Sequence, residues 1–583
     1  VSNLYTDNPD LLYHVRAGVR WDRVVPLWEE GFTLPDGPGS TAEARELYEA
    51  SLEELGAFAG EQMEPRARAV DAHGVRFEGG QVVQAPELLK NIEGLKKLGV
   101  MAPNLPRELG GYNFPFTVGA AMMEILSRAC TNTLLVHVFY QGPAVMVVRY
   151  GTPEQVERWV RPLASGALSG SVAITEPDAG SDVGRVATTA REEAGGWRLD
   201  GRKQFISNGC GDLCVVVARS EPGSQGLEGL SLFVVPRRDG ERDNYVVAKP
   251  ESKYVIRGSA TCELSFDGAR GELLGPRGAG FRQVLSFMNE ARLAVALQGL
   301  GLCEAATRAA REYAEKRVQM GRPIARHELV ADLLLDMEAE TAAMRALCYD
   351  SAELFDVVEG MSRPKNAAAP GAAKVLAAAK RALRERIPLV KWFGAERTLW
   401  VTRAAVQVHG GYGVVADYDV ERHYRNALIL PIYEGTSQIQ SLMSLKDQVK
   451  WLFERPWSWL TGAVSVEAPP TPLGDGLREM AGEYERTLKS VLRQSLGLGG
   501  ALAALRGGTP SAEALSYALL QAERLCAMLS YTRAAESLAR HAEASPRHRR
   551  LAERFVHRSL PLVRMHGEIA RSGDRDTLEA GQA

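Results

Sequence analysis

The stretch LCVVVARSEPGSQGLEGLSLFVVP, Leu213 to Pro236, interrupts a chain that otherwise reads largely as helix. Its two ends, Leu213 to Arg219 and Leu230 to Pro236, are runs of β-branched and apolar residues, which predicts two strands joined by a Gly- and Ser-containing loop. Similar runs, separated by Gly, Asp and Asn clusters, extend from Ser169 to about Leu285, so the whole region reads as a β domain. Outside it, apolar residues recur every three or four positions, as in Ala42 to Phe58 and Phe116 to Cys130, with the turn-rich PRELGGYNFP (Pro106 to Pro115) between them. Helical periodicity returns from Phe287 through Phe355, pauses at SRPKNAAAPG (Ser362 to Gly371) and resumes to Val408, predicting the long paired helices of an antiparallel bundle. VEAPPTPLGDG (Val466 to Gly476) reads as a linker. Beyond it Leu515, Leu519, Ala522, Leu525 and Leu529 form one apolar stripe. The expected organisation is an N-terminal extension (1–40), a helical domain (41–168), a middle β domain (169–285), a helical bundle (286–450) and a linker with a further helical region (451–583).

The bulk properties narrow the function classes. A chain of 583 residues exceeds what one hydrophobic core organises, and 45% apolar residues suffice for several cores. Sixty-nine basic against 72 acidic side chains leave a charge of −3, which gives no global field for nucleic acid or anionic membrane. The seven cysteines are odd in number and scattered, which points to a reducing compartment. Cys210 and Cys214 are spaced as CxxxC without a second Cys/His pair nearby, so no metal site is expected. The opening VSNLYTDNPD lacks the features of a secretory signal, and no uncharged apolar run reaches about 18 residues; a cytoplasmic protein without a membrane span is expected.

In PIYEGTSQIQ (Pro431 to Gln440) one carboxylate, Glu434, stands among a glycine and small hydroxyl and amide residues. Alone, Tyr-Glu-Gly-Thr-Ser is a turn and a helix cap. Upstream, however, lie AITEPDAGSDVG (Ala173 to Gly184), KQFISNG (Lys203 to Gly209) and QVHGGYG (Gln407 to Gly413). In this order the four segments resemble the acyl-CoA dehydrogenase flavoprotein family, from about Glu43 to about Lys450, in its longer bacterial form with an additional C-terminal helical domain. The resemblance implies a mainly α fold with a central β domain: an N-terminal helical domain, a β-barrel-like middle domain, a C-terminal four-helix bundle and an appended helical region.

It also implies chemistry: FAD-dependent α,β-dehydrogenation of an acyl-CoA thioester to the trans-2-enoyl-CoA, with electrons passed to an electron-transferring flavoprotein. Glu434 becomes the base for the α-proton, and desolvation would raise its pKa toward the task. The amide of Glu434 would donate to the thioester carbonyl as part of an oxyanion site. Some relatives carry the base in the segment that here reads GFRQVLSFMNEAR (Gly280 to Arg292), at a position occupied here by Ala291, which cannot accept a proton. Neighbouring Glu290 is about 100° away around the helix.

Substrate contacts map to Ser181, Asn289, Arg292 and Gly435, although an arginine such as Arg292 is equally a structural ion-pair partner. Thr131 to Ala144 maps to the acyl cavity. FAD contacts map to Val172, Ile174, Thr175, Gly180, Ser181, Phe205, Ile206, Ser207, Thr436 and Gln438. Gln407, Gly410, Gly411 and Arg317 match elements that reach the FAD of a neighbouring subunit, implying a homodimer or homotetramer. His327, followed by Glu328, matches a polar position near FAD and equally reads as a helix start. Gly411 to Ala416 fits GxGxxA but follows a helix outside any βαβ unit, so a dinucleotide-binding reading fails. Two alternatives stand beside this one: an acyl-CoA oxidase reoxidised by oxygen, and a non-catalytic FAD-binding relative that binds nucleic acid or protein. The latter rests on the basic patch Arg547, His548, Arg549 and Arg550, which otherwise reads as a solvated helix end; no nucleic-acid partner is expected.

Overall fold

The computed structural model describes residues 2–454, 464–505, 510–511 and 513–580. The chain divides into two compact units, Val1–Ala294 with Arg363–Asn366, and Val295–Ser362 with Ala367–Ala583.

In the first unit the middle region is a seven-stranded sheet of β1 (Gly170–Ala173), β2 (Thr189–Glu193), β3 (Gly196–Ser207), β4 (Leu213–Arg219), β5 (Leu230–Pro236), β6 (Val246–Pro250) and β7 (Thr261–Leu274). Strands β7, β3, β2, β4 and β5 pair in a closed circuit, because β5 bonds to both β4 and β7; the sheet is a barrel with β6 and β1 added beside it. The period-2 alternation of strands explains the unbroken apolar runs. Leu213, Val215 and Val217 pack with Ala144, Met146 and Val147 of a preceding helix, while Cys214, Val216 and Ala218 pack with Trp197, Leu199 and Phe266. Both faces of β4 are buried, so no polar residue alternates with its apolar ones.

The helices of this unit include α1 (Trp21–Trp28), α2 (Thr41–Phe58) and α3 (Phe116–Tyr150). The first 28 residues join the core: Leu4, Tyr5, Leu11, Trp21, Val24, Val25 and Trp28 are buried, and Arg128 grips Asp7 at 2.6 and 2.8 Å. The helix from Phe116 does not stop at Cys130. Cys130 leaves helical geometry (φ −158°, ψ 95°), but no proline or glycine follows until Gly142, so the chain resumes the helix after one kink. Leu135, Val138, Phe139, Gly142 and Val145 then form a half-buried stripe at helical spacing.

The helix α4 (Gly280–Lys316) continues from the first unit into the second, which holds α5 (Glu328–Ser362), α6 (Ala372–His409), α7 (Ser437–Glu454), α8 (Pro472–Leu505), α9 (Ala522–Ala539) and α10 (Pro546–Arg571). The predicted periodicity from Phe287 through Phe355 is broken by a hairpin, Val318–Gln319 with Arg322–Pro323, whose turn places Met320 and Gly321 at positive φ. The linker is also shorter than read: Pro472 to Gly476 already belong to α8, because proline suits a first helical turn, where its missing N–H costs no bond. The stripe Leu515 to Leu529 is not one helix. Gln521 (φ −92°, ψ 3°) separates a short helix, Ser516–Leu520, from α9, and only Ala522, Leu525 and Leu529 of the stripe are core residues.

The appended helices pack on the bundle. Phe393 of α6 is fully buried against the rings of Tyr531 (5.7 Å) and Phe555 (6.1 Å). Arg533 pairs with Glu385 at 2.8 Å and Arg386 with Glu536 at 3.3 Å. The basic patch is largely absorbed in this packing: Arg547 pairs with Glu338 at 2.9 Å, His548 is buried, and Arg549 donates to the Ala542 carbonyl. Among the described residues no helix is long and apolar enough to cross a membrane.

Candidate active site

The loop after β1 is held by a buried ion pair. Lys203 on β3 donates to the Ile174 carbonyl (2.9 Å) and to Glu176 Oε1 (2.7 Å), and its side chain is 0% exposed. Glu176 accepts in turn from the Ala187 N–H (2.7 Å) and the Thr188 N–H (3.0 Å), and the Gln204 N–H donates to the Thr175 carbonyl. The segments 173–184 and 203–209 are therefore one constructed surface. Sequence reasoning assigned no role to Lys203 or Glu176, although both stand inside the quoted motifs.

On that surface Phe205 is 61% exposed and sits at φ 61°, while Asn208, at φ 51°, donates to the Gly170 carbonyl. Non-glycine residues at positive φ cost energy and persist only where neighbours enforce them. Ile206 is buried and pairs with Cys262; Ser207 pairs with Thr261. Val172, Ile174 and Thr175 are half-buried, Gly180 and Ser181 exposed, and a Cβ added at Gly180 would meet nothing within 4 Å. An outward aromatic, small hydroxyl residues and open space over a glycine fit a planar, hydrogen-bonding ring such as a flavin.

Near the start of α4, Arg292 is buried and donates to Asn289 Oδ1 at 2.9 Å, which joins these two candidates. Glu290 forms an ion pair with Arg149 at 3.0 Å, so the carboxylate next to Ala291 already has a cation to hold it.

In the second unit, Glu434 is half-buried and lies at φ 55°, followed by Gly435 at φ 86°. The strain is fixed from both sides. Before it, the Tyr433 hydroxyl donates to Gln298 of α4, and Lys391 donates to the Leu430 carbonyl at 2.7 Å. After it, Gln440 donates to the carbonyls of Glu434 (3.2 Å) and Gly435 (3.1 Å), and the Thr436 hydroxyl caps α7 by accepting from the Ile439 N–H. Burial, with the Glu434 charge next in size, pushes the Tyr433 hydroxyl far above its ordinary pKa, so it stays a donor. Gln298 and Lys391 carried no sequence signal, since their role is set by contacts far along the chain, whereas Gln440 stands inside the quoted motif but was given no role. Gln438 is exposed and donates to Glu523 of α9 at 3.3 Å.

Arg317, Gln407, Gly410 and Gly411 are all exposed. Stacking of Tyr313 on His409 (4.3 Å) joins the ends of α4 and α6, and the Arg317 guanidinium lies 5.8 Å over the Tyr412 ring. Met320 (94% exposed), Leu329 (87%) and Val414 (76%) belong to the same chain segments. His327 precedes α5 and is held by Arg322 Nε (3.3 Å) and the Gln319 carbonyl (3.1 Å), so within this chain it closes the hairpin.

Models of the N-terminal, middle and C-terminal domains of acyl-CoA dehydrogenase match residues 45–167, 171–269 and 278–447. The chain belongs to the acyl-CoA dehydrogenase family. It is 34% identical over 414 residues to 3-methylmercaptopropionyl-CoA dehydrogenase of Ruegeria pomeroyi, covering 67% of this chain and 69% of that one. It is 32% identical over 410 residues to the human mitochondrial short-chain specific acyl-CoA dehydrogenase, covering 69% and 90%. Among solved structures, butyryl-CoA dehydrogenase of Megasphaera elsdenii superposes with a TM-score of 0.59 at 27% identity, over 68% of this chain and 97% of that one. A chain from a study of the electron transferring flavoprotein of Acidaminococcus fermentans gives 0.58 at 29% identity, over 68% and 96%. An acyl-CoA dehydrogenase of Bacillus anthracis complexed with FAD shares the fold over 98% of this chain and 93% of its own, with a TM-score of 0.75 at 22% identity; the likeness extends through the appended helices. As a family member the protein is a flavin-dependent oxidoreductase.

Proposed function

We propose that this acyl-CoA dehydrogenase removes the α-proton of an acyl-CoA thioester with Glu434, yielding the trans-2-enoyl-CoA, and passes its electrons to an electron-transferring flavoprotein. The observation that carries this reading is the backbone of Glu434: a half-buried carboxylate at φ 55°, enforced by the Tyr433 anchor and by Gln440. Strain of that kind fixes a carboxylate's direction, which proton abstraction requires. FAD, when bound, supplies the acceptor for the β-hydride.

The residues assigned to hold it are Val172, Ile174, Thr175, Gly180, Ser181, Phe205, Ile206 and Ser207, with Thr436 and Gln438 as further contacts. His327 is a further polar position near the cofactor, and Arg317, Gln407, Gly410 and Gly411 would serve the cofactor of a neighbouring copy in a homodimer or homotetramer. The exposed Met320, Leu329 and Val414 support that assignment, because apolar side chains so exposed mark a surface that another chain covers. Ser181, Asn289, Arg292 and Gly435 take the substrate, and the stripe Leu135, Val138, Phe139, Gly142 and Val145 faces the acyl chain. Relatives named for short acyl groups favour a short chain. The link to an electron-transferring flavoprotein is supported by the Acidaminococcus likeness. The test is an anaerobic titration with acyl-CoAs of graded length, following flavin bleaching, and then reoxidation by electron-transferring flavoprotein against oxygen. Absence of bleaching by any acyl-CoA would sink the reading; steady peroxide formation would move it to an oxidase.

A further inference from the structure

Arg219 closes strand β4, and its half-buried guanidinium is spent on uncharged oxygens. Nε and Nη2 donate to the Val186 carbonyl (3.2 and 3.0 Å), and Nη2 also to the carbonyls of Gly184 (3.0 Å) and Gly226 (3.2 Å). Nη1 donates to the Gly226 carbonyl (3.2 Å) and to Ser224 Oγ (3.1 Å). One cation thus joins two segments: the end of the 173–184 motif, and the loop between β4 and β5. The segments touch at this point, since a Cβ added at Gly184 would lie 3.3 Å from the Gly226 Cα. At Gly229 a Cβ would lie 2.9 Å from Arg219 Nη1, so a glycine leaves the room that the guanidinium fills.

Residues 184–188 are gripped from both sides. Arg219 takes the carbonyls of Gly184 and Val186 with its side chain and that of Thr188 with its own N–H (2.8 Å). Glu176, fixed by Lys203, takes the N–H groups of Ala187 and Thr188. Between Glu176 and Gly184 the chain arches outward, with Gly180 and Ser181 exposed on the arch. A solvated arginine needs no such partners. A planar guanidinium whose N–H groups reach carbonyls of two segments in one rigid fork fixes the separation of those segments instead.

We propose that Arg219 is a positioning residue of the cofactor site: by closing the far end of the arch it sets where the Ser181 hydroxyl meets the flavin. The proposal rests on the assignment of Ser181 to FAD. A hydrogen bond weakens steeply as its distance and angle depart from ideal, so an arch held only at Glu176 loses the bond without losing the residue. Lysine keeps the charge at this position but is a point donor, and cannot span both segments.

A double-mutant cycle on the full-length holoenzyme tests it, with FAD affinity read from flavin fluorescence on dilution and the flavin absorption bands recorded beside it. Ser181→Ala should weaken FAD binding roughly tenfold, the worth of one well-placed hydrogen bond. Arg219→Met should weaken it as much and Arg219→Lys nearly as much, with the absorption bands shifted alike in the three variants. In the Ser181→Ala background Arg219→Met should cost less than about a further twofold, because residues that act through one contact are not additive. The same factor for Arg219→Met in both backgrounds, or FAD affinity unchanged by it, overturns the proposal, since an arginine that merely supports the fold acts independently of Ser181. Where Arg219→Met does not fold, Arg219→Lys carries the same cycle. Parent FAD affinity in Ser181→Ala would remove Ser181 from the cofactor site and the proposal with it, whereas additive losses overturn the proposal alone. The readout uses no acyl-CoA and so stands apart from the chemistry of Glu434.

Discussion

Lys203 Nζ lies 2.7 Å from Glu176 Oε1, and both side chains are buried. The pair ties strand β3 to the loop that begins at Ile174, and Glu176 passes the constraint on to the N–H groups of Ala187 and Thr188. Burial lowers the Lys203 pKa to about 8, with Glu176 opposing the shift. Burial alone would raise Glu176, but Lys203 and the hydrogen bonds outweigh it and hold the carboxyl below its ordinary range. At neutral pH both partners are therefore charged.

Removing one partner strands the other. Lys203→Met should destabilise the protein by about 3–5 kcal/mol, while Lys203→Met/Glu176→Leu should recover part of that loss, since breaking a buried pair costs more than replacing it. A carboxyl whose folded pKa is lowered contributes stability above its unfolded value of about 4.3, and that stability is lost as pH falls through the folded value. The acid side of the stability–pH curve should accordingly be shallower in Glu176→Gln. Equal acid slopes for the two proteins would show that Glu176 titrates alike folded and unfolded.

Glu434→Gln should retain FAD and acyl-CoA binding while slowing anaerobic flavin reduction by roughly 10²- to 10⁴-fold or more, the contribution of a positioned base. Glu434→Gly should be equally inactive yet more stable by about 1 kcal/mol, because glycine adopts φ 55° without strain. Calorimetry of the three proteins beside stopped-flow reduction separates the two effects. Reduction by Glu434→Gln at the parent rate would remove Glu434 from the chemistry.

How much of this was legible in the sequence depends on the range of the interactions involved. The strands Leu213–Arg219 and Leu230–Pro236 fall where their β-branched runs predict, because propensity, burial on both faces and flanking turns agree. The kink at Cys130 was not legible, since no proline or glycine marks it. The strings around Glu434 and Phe205 could be read as motifs, but not their positive φ angles. Those are imposed by Gln298, 135 residues before Tyr433, and by the pairing of β3 with β7. Nothing in KQFISNG marks Lys203 as buried, because its partner Glu176 lies on another segment, 27 residues earlier.

Arg317→Ala and Gln407→Ala should each lower FAD occupancy and weaken the oligomer together, since a cofactor held by two copies links its own binding to their association. Added FAD should restore the larger species in both variants. Analytical ultracentrifugation at several FAD concentrations provides the measurement. A fully FAD-loaded, active monomer would contradict the role given to these exposed residues.

Truncation after Glu454 tests what the appended helices do. From the sequence alone, oligomer contacts are a role open to these helices; in the structure α9 covers α5, α6 and α7 within the same chain. Cutting it away uncovers Phe393 and leaves Glu385 and Arg386 without Arg533 and Glu536. Exposing one such aromatic costs about 1.5–3 kcal/mol, and unpaired charges add to it, which is a large share of a marginal stability of about 5–15 kcal/mol. The truncated protein should therefore aggregate or melt far below the full chain. Replacing Phe393 and its neighbours Trp392 and Leu389 with polar residues should restore solubility without restoring the parent melting temperature. A soluble truncation that melts with the full-length protein would mean that the bundle needs no cover, and would return the extension to a role between subunits.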